Sequence, residues 1–183
     1  MTTRLLLSVS AFYLVAVLTL THLIRAPRRR FLGSLAGGLA VAGVGVGIEV
    51  LFQTLGFWHY PSVDHRYGPV LMYPIIVLLW AGLSLIGWRI LRRFRWRGEV
   101  WFLVVVAVFG TVRDFVIATL RPDLVAASLG TGLALLDLFL WSGLTALAQA
   151  VMRLVAGPST ADRLAPRPWI LERIRPSQPT DHA

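Results

Sequence analysis

The stretch FLGSLAGGLAVAGVGVGIEVLFQ, residues 31–53, decides the fold. It is one unbroken apolar run whose single ionisable side chain is Glu49. A helix rises about 1.5 Å per residue, so a run of this length crosses the roughly 30 Å hydrocarbon core of a bilayer. Working outward, four further runs have the same character, at about 3–24, 70–91, 99–120 and 127–153. The expected fold is therefore all-α: a polytopic membrane protein, a bundle of about five transmembrane helices over residues 1–156.

Composition agrees with that reading. The chain has 183 residues, of which 56% are hydrophobic and only 15% charged, too apolar for a soluble domain of this length. Five spans leave only short connections and a tail, which excludes a large active site outside the membrane. The absence of cysteine removes disulfides, thiolate metal sites and cysteine nucleophiles.

A net charge of +9 in a soluble protein would point to nucleic acid, but here the arginines are sorted by loop. Arg25, Arg28, Arg29 and Arg30 follow the first run; Arg89, Arg92, Arg93, Arg95 and Arg97 surround the third connection; Arg153, Arg163, Arg167, Arg173 and Arg175 lie at the end. By the positive-inside rule these regions face the cytoplasm, with the N-terminus outside, the C-terminus inside and no nucleic-acid partner implied. The first run lacks a small-residue cleavage site and reads as a retained helix. RRRFLGSLAGGLA, residues 28–40, imitates a twin-arginine signal, yet it follows a complete span and serves as its anchor. The expected location is the cell membrane, with the bilayer itself as the main partner. Residues 157–183 carry five prolines and no sustained period, which predicts a disordered cytoplasmic tail. Within it, RPWILERIR could rest on anionic lipid.

The glycines of residues 31–53 include Gly33-xxx-Gly37 and Gly43-xxx-Gly47. Such spacing lets helices approach closely in lipid, either as the seam of a homodimer or, the favoured reading, against neighbours in the same chain. Trp58, Tyr60, Trp88, Trp96 and Trp101 fall at the boundaries of runs and read as interface anchors. Trp80 and Trp141 fall nearer mid-span, where they either pack or line a cavity.

Ionisable groups inside spans are costly and mark function by default; here they are Glu49, Arg113, Asp114 and Asp137. Counted along their helices, Glu49 and Asp114 lie about 27 and 22 Å from the cytoplasmic side, and Asp137 about 15 Å from the outer side. Two acids thus fall in the outer half and one near the middle. The connection GFWHYPSVDHRYGP, residues 56–69, lies on that same side. It could cover an acid pocket with His59, Tyr60, Asp64, His65 and Arg66. Gln53 shares the face of Glu49 one turn on. The candidate catalytic residues are Glu49, Asp114 and Asp137; the candidate substrate-binding residues are Gln53, Trp58, His59, Tyr60, Asp64, Tyr73, Trp80 and Arg113. The competing reading makes Arg113 neutralise Glu49 or Asp137, the whole set being buried glue. Yet three acids face one base, which leaves at least one carboxyl neutral and able to donate a proton.

Other chemistries lack their residues. No H-E-x-x-H, G-x-S-x-G or phosphate-binding glycine loop occurs, and the histidines at 22, 59, 65 and 182 lack metal-ligand spacing. Neither a metal nor another cofactor is expected.

The segment IEVLFQTLGFWHYPSVDHRYGPVLMYPIIVLLW, residues 48–80, resembles integral-membrane enzymes of carotenoid and terpenoid biosynthesis, the hydratases and cyclases of isoprenoid chains. The shared pattern is an intramembrane acid, Glu49, then Gly56, Trp58 and Tyr60, then Gly68-Pro69, Pro74 and Trp80. The resemblance implies acid-initiated chemistry on an isoprenoid lipid, with Glu49 or Asp114 protonating an alkene or epoxide. Rings such as Trp58 and Trp80 would stabilise the cation. Those hydratases are longer, with more than five spans. A small proton-coupled transporter and an accessory or assembly subunit without chemistry are the alternative functions. Five spans with no clear inverted repeat speak against the transporter.

Overall fold

A computed structural model of the chain describes residues 3–61, 70–127, 130–158 and 162. The described part is almost entirely helical: α1 (Thr3–Leu23), α2 (Arg28–Thr54), α3 (Met72–Leu120) and α4 (Thr131–Ala156). All four are long and apolar enough to cross a membrane. Two strands of two residues each, β1 (Trp58–His59) and β2 (Ala126–Ala127), pair antiparallel with Trp58 opposite Ala127.

The third and fourth apolar runs form one element of 49 residues, α3, interrupted at Arg95, whose backbone has φ 54° and ψ −144°. A positive φ at a side chain with a Cβ is strained by about 1–3 kcal/mol. The strain reverses the chain. Gly87 and Phe102 are 15 positions apart, yet a Cβ on Gly87 would lie 2.7 Å from the Phe102 ring. In a straight helix those positions are more than 20 Å apart. The arms 72–94 and 96–120 therefore lie side by side, and Gly98 keeps the turn tight, since a Cβ there would meet Phe94 at 2.7 Å.

Helices α2, α3 and α4 pack on one another, and α1 leans on α3. The main core joins Val41, Trp80, Phe102, Val106, Trp141 and Ala148. Glycine sets how close α2 comes to its neighbours. A Cβ on Gly37 would stand 2.6 Å from the Ala148 carbonyl of α4, and one on Gly38 would stand 2.2 Å from the Val77 carbonyl of α3. The first glycine pair is thus packed within the chain, while Gly43 and Gly47 meet nothing within 4 Å. Outward-facing positions are large and apolar, among them Phe109, Phe139 and Leu154, each more than 70% exposed. Such a surface is compatible with lipid and unlike that of a water-soluble bundle.

Two ends of helices use the same cap. At the end of α1 the Ala26 N–H reaches the Thr21 carbonyl with Arg25 at φ 52°, and at the end of α2 the Phe57 N–H reaches the Phe52 carbonyl with Gly56 at φ 74°. These are Schellman closures, for which glycine at the left-handed position is the usual choice. The Gly56 turn sends Trp58 and Tyr60 back over the end of the bundle. Because Ala126 and Ala127 pair with β1, α4 begins at Thr131 rather than at the sequence-expected 127.

Candidate functional site

Four segments reach this end of the bundle: the last turns of α2, both ends of α3, and the first turns of α4. Glu49 comes from α2 and is buried at 7% exposure. Its carboxylate is held by two phenols, Tyr60 Oη donating to Oε1 at 3.1 Å and Tyr73 Oη to Oε2 at 2.8 Å. Tyr60 lies outside the helices. Burial, the neighbouring Glu49 charge and the hydrogen bond to it all push its phenol up, so Tyr60 remains a donor at any physiological pH.

Asp114 comes from the second arm of α3. Its Oδ1 accepts from Arg113 Nε at 3.0 Å and Nη2 at 2.7 Å, and its Oδ2 accepts from Trp141 Nε1 of α4 at 2.9 Å. The Arg113 guanidinium also lies 4.8 Å from the Trp141 ring centroid, in cation–π contact. In the competing reading Arg113 neutralises Glu49 or Asp137; its hydrogen bonds go to Asp114 instead. The flexible side chain curls back onto its sequence neighbour, a pairing invisible to i, i+4 reasoning.

Asp137 comes from α4, one turn before Trp141 on the same face. It is 5% exposed, and among the described residues its Oδ2 has no hydrogen-bond partner. Thr111 Oγ1, buried and close enough to influence it, makes no hydrogen bond of normal geometry among the described residues.

The three carboxyls share the wall of one cavity of about 350 Å³. That volume lies in the range of ligand sites, about 300–1,000 Å³. Below the acids the wall is apolar, with Ile48, Ile76, Leu79, Leu140 and Leu144. Trp80 and Trp141 both reach it, their ring centroids 5.0 Å apart. Trp80 and Trp141 thus both pack and line.

Of the residues selected from sequence, Glu49, Trp58, Tyr60, Trp80, Arg113, Asp114 and Asp137 line the cavity. Tyr73 stands behind Glu49 as its second donor. Gln53 and His59 are not on the wall: Gln53 Nε2 is buried without a partner among the described residues, and His59 is exposed. Asp64, with His65 and Arg66, lies outside the described residues, as does the tail beyond Pro158 apart from Asp162. Sequence reasoning noted Trp141 as packing or lining a cavity without giving it a role in the site, and did not select Thr111. The signal for Trp141 was its place one turn after an intramembrane acid; Thr111 carried none. Among the described residues no group of three or more metal-ligating side chains gathers.

Comparison with protein-family models, curated proteins and solved structures finds no match to this chain. What defines the class is the arrangement itself: a bundle of membrane-length helices with an acid-crowned apolar cavity at one end.

Proposed function

We propose that the protein is an integral membrane enzyme that performs acid-initiated chemistry on an isoprenoid chain, as a cyclase or hydratase. The observation that carries this reading is the convergence of Glu49, Asp114 and Asp137, from three helices, on one apolar cavity. An apolar chain fits the walls; the carboxyls supply a proton donor, and carboxylate and indole groups steady a developing cation. The two arms of α3 then count as separate crossings, giving five, with the N-terminus outside and the C-terminus in the cytoplasm of a cell-membrane protein. A lipid substrate enters sideways from the bilayer.

A carrier needs a polar route from end to end. Here the end opposite the cavity is filled by Trp88, Arg30 and Asp162, all buried, which favours the enzyme. Pairing with a second copy, if it occurs, has room along Gly43 and Gly47.

The test is the isoprenoid lipid profile of cells expressing wild type, Glu49→Gln or Asp114→Asn, with membrane levels of each protein measured. A product made by wild type and diminished in both variants at equal protein level is expected. An unchanged profile between wild type and empty vector, in a host rich in isoprenoids, removes the reading.

A further inference from the structure

The three carboxyls of the cavity are not equivalent, and their hydrogen bonds sort them. Both oxygens of Glu49 are engaged, by Tyr60 and Tyr73. Both oxygens of Asp114 are engaged, by Arg113 and Trp141. Asp137 is as deeply buried as Glu49 and lies on the same wall, but its Oδ2 has no partner among the described residues. Buried polar atoms are nearly always satisfied, so an orphaned one needs a reason. A second orphan, Thr111 Oγ1, stands beside it. A hydroxyl both donates and accepts, so either group can supply the hydrogen that satisfies the pair; what sets Asp137 apart from the other two acids is an oxygen left uncommitted on the cavity wall.

Resting on the acid-initiated reading above, we propose that Asp137 is the proton donor of the site. Glu49 and Asp114, whose oxygens are already committed, form the wall that faces the cation. The Asp137 O–H bond breaks as the π electrons of a substrate alkene form a C–H bond, leaving a tertiary cation on the neighbouring carbon. In a cyclase, a second alkene closes a C–C bond onto that cation. Loss of a proton from the next carbon to a carboxylate of the site then restores a double bond, so substrate and product are isomers. In a hydratase, water adds to the cation and its released proton replaces the one donated. Neither course needs an oxidant or reductant.

The experiment uses the full chain in detergent micelles with dicyclohexylcarbodiimide, an apolar reagent that modifies carboxylic acids in their O–H form. Peptide mass mapping locates the adduct. The expected result is modification of Asp137 and not of Glu49 or Asp114, lost in Asp137→Asn and retained in Glu49→Gln. Modification of Glu49 or Asp114 with Asp137 untouched, or no adduct on any of the three, overturns the assignment. Because the wild-type chain is labelled, the outcome does not depend on whether a variant folds. In the lipid-profile assay, Asp137→Asn lowers product by about 10²–10⁴-fold, the usual contribution of a general acid, and the other two acids cost less. Full product formation by Asp137→Asn overturns the assignment while the enzyme reading stands. Absence of any wild-type product removes that reading instead, and with it the role of donor.

Discussion

Both ends of the bundle set a carboxylate against an arginine and an indole, and they use those groups to opposite effect. At the arginine-rich end, Asp162 accepts from Arg30 Nε at 2.9 Å, from Trp88 Nε1 at 3.0 Å and from Arg29. Arg30 also donates to the carbonyls of Gly157 at 2.9 Å and Pro158 at 3.3 Å, tying the start of α2 to the end of α4. At the cavity end, Asp114 has the same kinds of partner in Arg113 and Trp141. The side chains of Arg30 and Asp162 are 0% exposed, whereas those of Arg113 and Asp114 are 37% and 36% exposed. One trio is a lock because packing around it is complete. The other borders open volume, and can meet a ligand.

The largest expected effect comes from breaking the lock. Removing one member of a buried ion pair leaves the other charge uncompensated and costs about 3–5 kcal/mol. Asp162→Leu is therefore expected to lower stability by about that amount, read as unfolding in detergent followed by tryptophan fluorescence. The double variant Arg30→Met, Asp162→Leu should recover only part of it: the uncompensated charge is gone, but Trp88 Nε1 and the carbonyls of Gly157 and Pro158 have lost their partners. A single variant as stable as wild type would show that Asp162 is not locked at all. The corresponding change at the cavity end, Arg113→Met, is expected to lower stability less, since water and ligand can reach Asp114 once its partner is gone.

This contrast also marks what could be read in the sequence. Glu49, Asp114 and Asp137 stood out because charge is rare in apolar runs, and reckoning depth at a fixed rise per residue put Glu49 and Asp114 on one side. The apolar runs themselves were legible for the same reason. The partners were not. Arg30 and Asp162 are 132 positions apart, and nothing local in either segment specifies the pairing. Arg113 chose its neighbour through a side-chain conformation that spacing does not encode. The reversal at Arg95 falls where the sequence put a connection; that a single residue with positive φ makes it carried no local signal. The β1–β2 pairing is two residues long and leaves no alternation to detect.

A second set of variants sharpens the comparison by testing where space exists. A Cβ at Gly110 would lie 2.1 Å from the Trp141 ring, the indole that both holds Asp114 and lines the cavity. Gly110→Ala should displace that ring at a cost of about 1–3 kcal/mol, as overpacking does, and should diminish product formation with it. Gly43, on α2, meets nothing within 4 Å. Gly43→Ala should be neutral or stabilising by up to about 1 kcal/mol, because alanine restricts the unfolded chain and favours helix. If Gly43→Ala instead destabilises, or changes the mass of the particle in detergent, that face of α2 is occupied by a second copy.

The smallest effect belongs to the exposed pair at the cavity end, which isolates what burial adds. Arg121 Nη2 and Asp123 Oδ2 are 2.8 Å apart, with side chains 55% and 60% exposed. The hydrogen bond from Arg121 holds the Asp123 carboxyl below its ordinary value of 3.8. A depressed carboxylate stabilises the fold in full only where it is ionised in the unfolded chain as well. The contribution is therefore complete above about pH 4, and it fades as pH falls through the lower native value. Solvent and salt screen such a pair, so Asp123→Asn should barely move the unfolding midpoint at neutral pH, and any difference should vanish in high salt and in acid. The geometry is nearly that of Arg113 and Asp114, where Nη2 and Oδ1 are 2.7 Å apart. A measurable salt-insensitive loss in Asp123→Asn would mean that this turn is shielded, as a cover pressed onto the cavity mouth would be. A null result leaves the cavity's own walls as the place where charge matters.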